Sequence, residues 1–329
     1  MRIFRKDILE IDDNQRKNIN QFIEENNGLI FHETKFNEIV SESFDTSLSF
    51  LLAYKNNKLA GICPMHTIKN GILNLTYSNP AIFEVPYGGW VFDNEQISIQ
   101  HLLNQINPSF NEHLTYWSNI QIKGNSNEYY NLAFSSHQTA VIDLSPDEDT
   151  IWEGVINSKR RNMIRKALKS GVKIRSYGAE GFESYYPLMT AMHDKASLKT
   201  KPVTYYENVL QNYFAKKQAI IFLSEINREV ISGVILIGNK YIVHYWQGAS
   251  KRDAPNLGQN ELLQWEAIKW AKHNGSKYYD LCVVEKERLP NIAIFKLGFS
   301  KDIVPFYHIS KKPLSFRILS KLQRCFLRR

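Results

Sequence analysis

Residues 219–247, AIIFLSEINREVISGVILIGNKYIVHYWQ, decide the fold of this chain. Three apolar runs, 219–226, 230–237 and 241–247, are separated by Asn227-Arg228-Glu229 and by Gly238-Asn239. Runs of this length bounded by turn residues read as strands, and connections this short fold them antiparallel into a meander. Alternation along the third strand puts His244 and Trp246 on one face and Tyr245 and Gln247 on the other. One face must be core, where a buried, hydrogen-bonded histidine is common; a polar pair on the other is a candidate for substrate contact. Downstream, the pattern predicts a helix over 258–274 closed by Gly275, then a strand over 277–283. A short helix follows from Pro290 to Gly298, and a last strand covers 303–309. Upstream lie two helices, one over 183–196 and one starting at Thr204, where Thr204 and Glu207 have capping-box spacing.

The N-terminal half repeats this order in looser form. Strands are expected over 49–54 and 59–66 around a Lys55-Asn56-Asn57-Lys58 turn, near 72–77, 114–122 and 139–144, with a helix over 95–106. Pro86-Tyr87-Gly88-Gly89 reads as a loop in which glycines permit close backbone approach, so Tyr87 is a candidate for contact with an acceptor molecule, alongside the plain reading of a turn.

Between the halves, Lys159 to Arg175 reads KRRNMIRKALKSGVKIR, eight basic side chains and no acidic one. The net charge of the whole chain is +8, so its basic character is local to this run. The expected helix has Ser145 as N-cap, Pro146 at N1, Glu148 at N3 and Gly171 as a C′ stop. On it, Arg161, Arg165 and Lys169 share a face at i, i+4, i+8, while Ile164, Ala167 and Leu168 face elsewhere. A solvated basic face is one reading. The other is a phosphate clamp of Arg160, Arg161, Arg165 and Lys169, since arginine binds phosphate bidentately.

The remaining composition is that of a globular protein, 43% apolar and 22% charged, and 329 residues suggest two domains. Cys63, Cys282 and Cys325 have no zinc or disulfide spacing and fit a reducing compartment. The first residues lack an apolar signal-peptide core and no apolar run is long enough to span a bilayer, so a cytoplasmic location is expected, with the inner membrane face as a variant. The tail, KKPLSFRILSKLQRCFLRR, places Leu314, Ile318, Leu319, Leu322 and Phe326 near helical spacing against Lys and Arg. It is a candidate for peripheral contact with anionic membrane, or for packing on its own domain.

Helical pair, meander, long helix, strand, helix, strand is the element order of the GNAT acyltransferase fold. The expectation is therefore an α/β protein of mixed sheet with two tandem GNAT-like lobes, 1–147 (abbreviated) and 148–310, a cleft between them, and a basic amphipathic tail over 311–329. The residues also resemble the Fem-type aminoacyltransferases, which are tandem GNAT-like proteins of peptidoglycan synthesis. WEGVINSKRRNMIRKALKSGVKI is similar to the helix opening their second lobe. GQNELLQWEAIKWAKHNGSKYYD is similar to their long helix and strand, and FKLGFSKDIVPFYHI to their Phe-Lys-x-Gly-Phe signature. LIFHETKFNEIV resembles their early Gln-x-x-x-Trp motif, with His32 and Phe36 standing in the key slots.

This resemblance implies an acyltransferase that moves an aminoacyl or acyl group to an amine of a phosphate-bearing cell-envelope precursor, peptidoglycan or surface polysaccharide. The donor is aminoacyl-tRNA or acyl-CoA, with no bound cofactor and no metal. It maps the catalytic lysine onto Lys296, next to Phe295. A cation aimed at the tetrahedral oxyanion lowers the barrier, and Lys296 lies in the apolar sequence PNIAIFKLGF, which favours desolvation; the alternative is a lysine snorkelling from a packed helix. Asp280 is a candidate base for the acceptor amine. Acyl-CoA enzymes of the GNAT fold carry an Arg/Gln-x-x-Gly-x-Gly/Ala loop; here SKRDAPNLGQNELL offers Gly258 alone at the helix start, which weighs against ordinary acetyl-CoA use. Two other functions stay open: an acyl-CoA-dependent N-acetyltransferase on a nucleotide-sugar or polysaccharide unit, and a non-catalytic protein binding RNA or anionic lipid through the basic helix.

Overall fold

A computed structural model of the protein describes residues 1–70, 73–78, 81–97, 102, 114–119, 133–251 and 253–311. The chain forms two compact units, Met1–His137 with the chain from Pro305 onward, and Gln138–Val304. The division thus falls ten residues before the expected 147/148 boundary, and the last described strand returns to the first unit. The expected tail over 311–329 and most of the expected helix over 95–106 lie outside the described residues.

The first unit opens with β1 (Arg2–Asp7), α1 (Asp13–Glu25) and α2 (Thr34–Phe44). Strands β2 (Ser47–Lys55) and β3 (Lys58–Asn70) follow, then β4 (Leu73–Ser78), the short β5 (Val91–Phe92) and β6 (Leu114–Asn119). β1, β2, β3 and β4 pair in that order, β5 pairs with β3, and β4 pairs with β6 in parallel. The β2–β3 turn works because Asn56 and Asn57 both take positive φ, +52° and +62°, a backbone that matches the twist of a tight hairpin. The early motif is core structure. Phe36 is fully buried, and the His32 ring accepts the Leu29 N–H at 3.0 Å. Asn37 binds the Phe31 and Glu33 carbonyls and lies 2.9 Å from the ring of the buried His66.

The second unit begins within β7 (Ala133–Asp143). α3 (Ser158–Lys169), β8 (Lys173–Tyr177), α4 (Phe182–Lys195) and α5 (Val203–Tyr213) follow. The meander is β9 (Ala219–Ile226), β10 (Glu229–Gly238) and β11 (Ile242–Ser250). Then come α6 (Gln259–His273), β12 (Tyr278–Val283), α7 (Pro290–Leu297) and β13 (Ile303–Lys311). Strand order is β7-β12-β11-β10-β9-β8, antiparallel except for the β11–β12 pair. From residue 305 on, β13 belongs to the first unit, where Tyr307 to Lys311 pair antiparallel with β6.

α6 packs on this sheet through Leu262, Leu263, Ala267, Ile268 and Ala271, which meet Ile142, Phe222, Leu236 and Leu281 in one core. Each fully buried Leu or Ile contributes about 1.5–3 kcal/mol by leaving water. Gly275, at φ +79°, closes α6 as expected. α5 starts at Val203 after Pro202, so Thr204 sits inside its first turn and not at the cap.

The basic segment differs from the single helix expected from Ser145. Asp147 is the first cap, accepting the Thr150 N–H at 2.7 Å. A π-type turn follows over Ile151–Val155, and Ile156 is extended (ψ 124°), which breaks the helix. Asn157 then caps α3 by accepting the Arg160 N–H at 2.9 Å. The Asn157-Ser158 pair offers a side chain that competes with helix continuation, and this local bond sets the second start. Gly171 takes φ +78° and stops α3. Leu168, expected on an apolar stripe, is 60% exposed.

Candidate functional site

Two strands part at the centre of the second unit. β11 and β12 pair in parallel over Ile242↔Tyr278, Val243↔Tyr279 and His244↔Asp280, and the ladder stops there although both strands run on. β12 has a bulge between Asp280 and Val283, and Cys282 takes a left-handed backbone, φ +59°. Alternation separates two groups of side chains around this opening.

On one face lies a buried polar cluster. His244 Nδ1 is 2.7 Å from Asp280 Oδ2. Asp280 Oδ1 accepts the Cys282 N–H at 2.8 Å and the Thr139 hydroxyl. Cys282 Sγ lies 3.5 Å from Oδ2. Burial pushes the Asp280 pKa up, but the His244 hydrogen bond and charge, the Thr139 hydroxyl and the Cys282 amide outweigh it, and the carboxyl lies below its usual value. An ionised carboxylate can only accept, so Asp280 is the acceptor in its bond with His244 Nδ1. Asp280, a candidate base by its place on the strand, is fully buried here with both oxygens engaged.

His244, Asp280 and Cys282 have ligand atoms within 4.8 Å of one another, the one such grouping among the described residues. They are chemically suited to zinc, and in this structure they contact one another, His244 Nδ1 and Cys282 Sγ both approaching Asp280 Oδ2.

The other face carries Tyr245 and Lys296. Lys296, on α7, is 9% exposed. Its Nζ donates to the Val283 carbonyl at 2.9 Å and lies 5.8 Å from the centre of the Tyr245 ring. Burial lowers its pKa from the usual lysine value, opposed by the charges of Cys282, Asp280 and Glu285. Burial, with the Cys282 charge, pushes the Tyr245 phenol up to about 12. The phenol lies so close to Gly248 that a Cβ there would collide with it. Gln247 is partly exposed on the same strand, two residues on.

α7 is fixed from behind by Arg160. This arginine is buried, pairs with Glu261 at 2.7 Å and donates to the Ile294 carbonyl at 3.1 Å. Its guanidinium lies 4.8 Å from the centre of the Phe295 ring, and Phe295 packs on Phe299 at 5.3 Å. Gly298 is required here: a Cβ would sit 2.5 Å from Arg160 Nε and 3.1 Å from Asn157 Nδ2. Asn157 also donates its N–H to the Gly298 carbonyl at 2.9 Å.

The basic helix does not present its arginines as one clamp. Arg160 points inward. Arg161 Nη1 donates to the Trp152, Glu153 and Ile156 carbonyls at 3.0, 2.7 and 2.8 Å, closing the end of the π-type turn. Arg165 is exposed, bonds Asn162 at 3.1 Å and lies over the Trp152 ring at 5.5 Å; Lys169 is exposed. Gly258, at φ +87°, caps α6 where a Cβ would strike the Met163 carbonyl, so a close helix–helix approach requires glycine there. Tyr87 belongs to the core of the first unit, fully buried and edge-on to Phe306 at 5.2 Å, so it does not line an open acceptor loop. Sequence reasoning missed Glu261, Thr139 and Cys282. The i, i+2 spacing of Asp280 and Cys282 on one strand was an available signal for Cys282; for the other two no local signal exists.

A family model described as the FemAB family matches residues 104–230. No curated protein gives a significant sequence match. Among solved structures, a crystal structure of FemX is similar with TM-score 0.71 at 14% identity, covering 93% of this chain and 97% of that one. L-PGS from Bacillus licheniformis is similar with TM-score 0.56 at 12% identity, covering 95% and 97%. A tandem GNAT protein from the clavulanic acid biosynthesis pathway has TM-score 0.54 at 10% identity, covering 95% and 99%. The chain has a Fem-type tandem GNAT-like α/β fold.

Proposed function

Taking a Fem-type tandem GNAT-like fold as premise, we propose that this chain is an acyltransferase that moves an aminoacyl group from aminoacyl-tRNA to an amine of a phosphate-bearing cell-envelope precursor. The observation that carries the reading is Lys296, desolvated and aimed at the carbonyl end of β12, where β11 and β12 part. Attack of the amine on the aminoacyl ester gives a tetrahedral oxyanion, which a cation fixed at that point stabilises more than the ground state; collapse breaks the ester C–O bond and forms the amide, with the amine proton passing to the departing tRNA hydroxyl. In this reading Phe295 and Arg160 hold α7 in place, and the His244–Asp280 pair with the Cys282 amide fixes the end of β12. Tyr245 and Gln247 line the opening. Of the four clamp candidates Arg160, Arg161, Arg165 and Lys169, the exposed Arg165 and Lys169 are left for phosphate contact.

A second donor, acyl-CoA, is favoured by the same parting of β11 and β12, because the two strands do not pair with each other beyond His244 and Asp280 and an extended amide chain could pair with strand backbone there. Transfer assays with aminoacyl-tRNA and with acyl-CoA on the parent and on Lys296→Ala test both. The proposal expects transfer from one donor that falls by about 10²–10³ in the variant, the loss typical of one oxyanion donor. Transfer that Lys296→Ala leaves unchanged would refute the role of Lys296. Thermal shift separates the donors: the true one at about 100-fold its Kd stabilises by about 2.7 kcal/mol.

A further inference from the structure

We propose that α7 and its leading loop, together with the outer face of α3, form a docking surface for an anionic lipid bilayer. Leu289, Ile292 and Ile294 are 45%, 47% and 58% exposed. They are three of the nine exposed large hydrophobics among the described residues and fall within six consecutive positions, with Ile292 and Ile294 on the two flanks of the outward side of α7. The core does not need them, because α7 packs inward through Ala293, Phe295 and Leu297.

This apolar ridge adjoins the basic segment. Arg160 binds the Ile294 carbonyl and Asn157 binds the Gly298 carbonyl, so the start of α3 abuts α7. Along α3, Lys159, Arg165, Lys166 and Lys169 are exposed, with Leu168 exposed among them. No acidic residue occurs from 159 to 175.

Aliphatic side chains beside the cationic face of α3 match the two layers of a membrane surface; the loop before α7 adds Glu285 and Glu287 balanced by Lys286 and Arg288. The isoleucines enter the acyl boundary while Lys and Arg meet anionic headgroups. A nucleic acid would engage the cations but offers nothing to three aliphatic side chains, where aromatic stacking is the rule. The surface is independent of the acyltransfer reading and of the residues beyond 311. It would hold the opening between β11 and β12 close to a lipid-borne acceptor.

The test is co-sedimentation of the full chain with phosphatidylcholine vesicles with and without phosphatidylglycerol. The expected result is retention on the anionic vesicles only, weakened by high salt. Ile292→Asp/Ile294→Asp should lower the partition coefficient at least about tenfold, given the loss of buried methylenes, with thermal unfolding unchanged. Arg165→Glu/Lys169→Glu should lower it on anionic vesicles by a similar factor. Absent binding, equal binding to neutral vesicles, or binding that survives the isoleucine substitutions would overturn the proposal. Capture of tRNA without capture by vesicles would also overturn it, in favour of a polyanion. None of these failures alters the dependence of transfer on Lys296, so the two readings fall separately.

Discussion

Arg160 and Glu261 form a buried ion pair, 2.7 Å from Nη1 to Oε1, that joins the first turn of α3 to the first turn of α6. The same guanidinium reaches the Ile294 carbonyl and the Phe295 ring. One side chain thus connects the basic helix to the helix that carries Lys296. Removing either partner strands a charge in the interior. Glu261→Gln should destabilise the protein by about 3–5 kcal/mol, the range for breaking one half of a buried pair. Denaturant unfolding measures it, and a loss below about 1 kcal/mol would mean that water reaches the pair.

Gly258→Ala should be among the most damaging small substitutions. The position takes φ +87° and its missing Cβ faces the Met163 carbonyl. A left-handed non-glycine residue costs about 1–3 kcal/mol before any displacement of α3 is counted. A shift in Tm of only a degree or two would show that α3 moves aside easily.

Asp280 should leave a signature at low pH. Its folded pKa lies below the ordinary value of 3.8, so the stability it adds is complete above that value and disappears as pH falls through the folded pKa. Asp280→Asn removes the charged acceptor of His244, Thr139 and the Cys282 amide, and should cost about 2–3 kcal/mol at neutral pH. The gap between parent and variant should narrow as pH drops below about 4. Parallel stability curves down to the acid limit would contradict this.

Lys296 should act in the same sense at the alkaline end of the pH range. Its folded pKa is below 10.5, so between the two values the unfolded chain binds more protons and stability rises with pH. Lys296→Met should abolish that rise at alkaline pH. Urea unfolding of parent and variant from neutral pH upward provides the check; an identical slope in both would place the ammonium in solvent.

The elements and their order were legible in the sequence because each rests on local chemistry. Asn227-Arg228 and Gly238-Asn239 turn the meander, Gly275 ends α6, and Pro290 starts α7 one turn before Ala293 enters the core. The break at Ile156 was also local, but Asn157 had to be preferred over Ser145 as the cap, and the energies of such caps differ by less than about 1 kcal/mol. The strand at 277–283 placed Asp280 correctly, yet the side chains that engage it come from β7, β11 and the bulge of β12 itself.

What the sequence alone determined is the periodicity of each element, the position of Lys296 in an apolar helix, and the concentration of charge between 159 and 175. Tertiary structure alone decided what those charges do. Arg160 meets Glu261, 101 residues away, and Arg161 turns back onto three carbonyls, while Arg165 and Lys169 stay exposed. The physical reason is that a guanidinium is satisfied by whichever oxygens the packing brings within about 3 Å. Helical spacing fixes which residues share a face, and only the neighbouring helices fix whether that face meets protein or water.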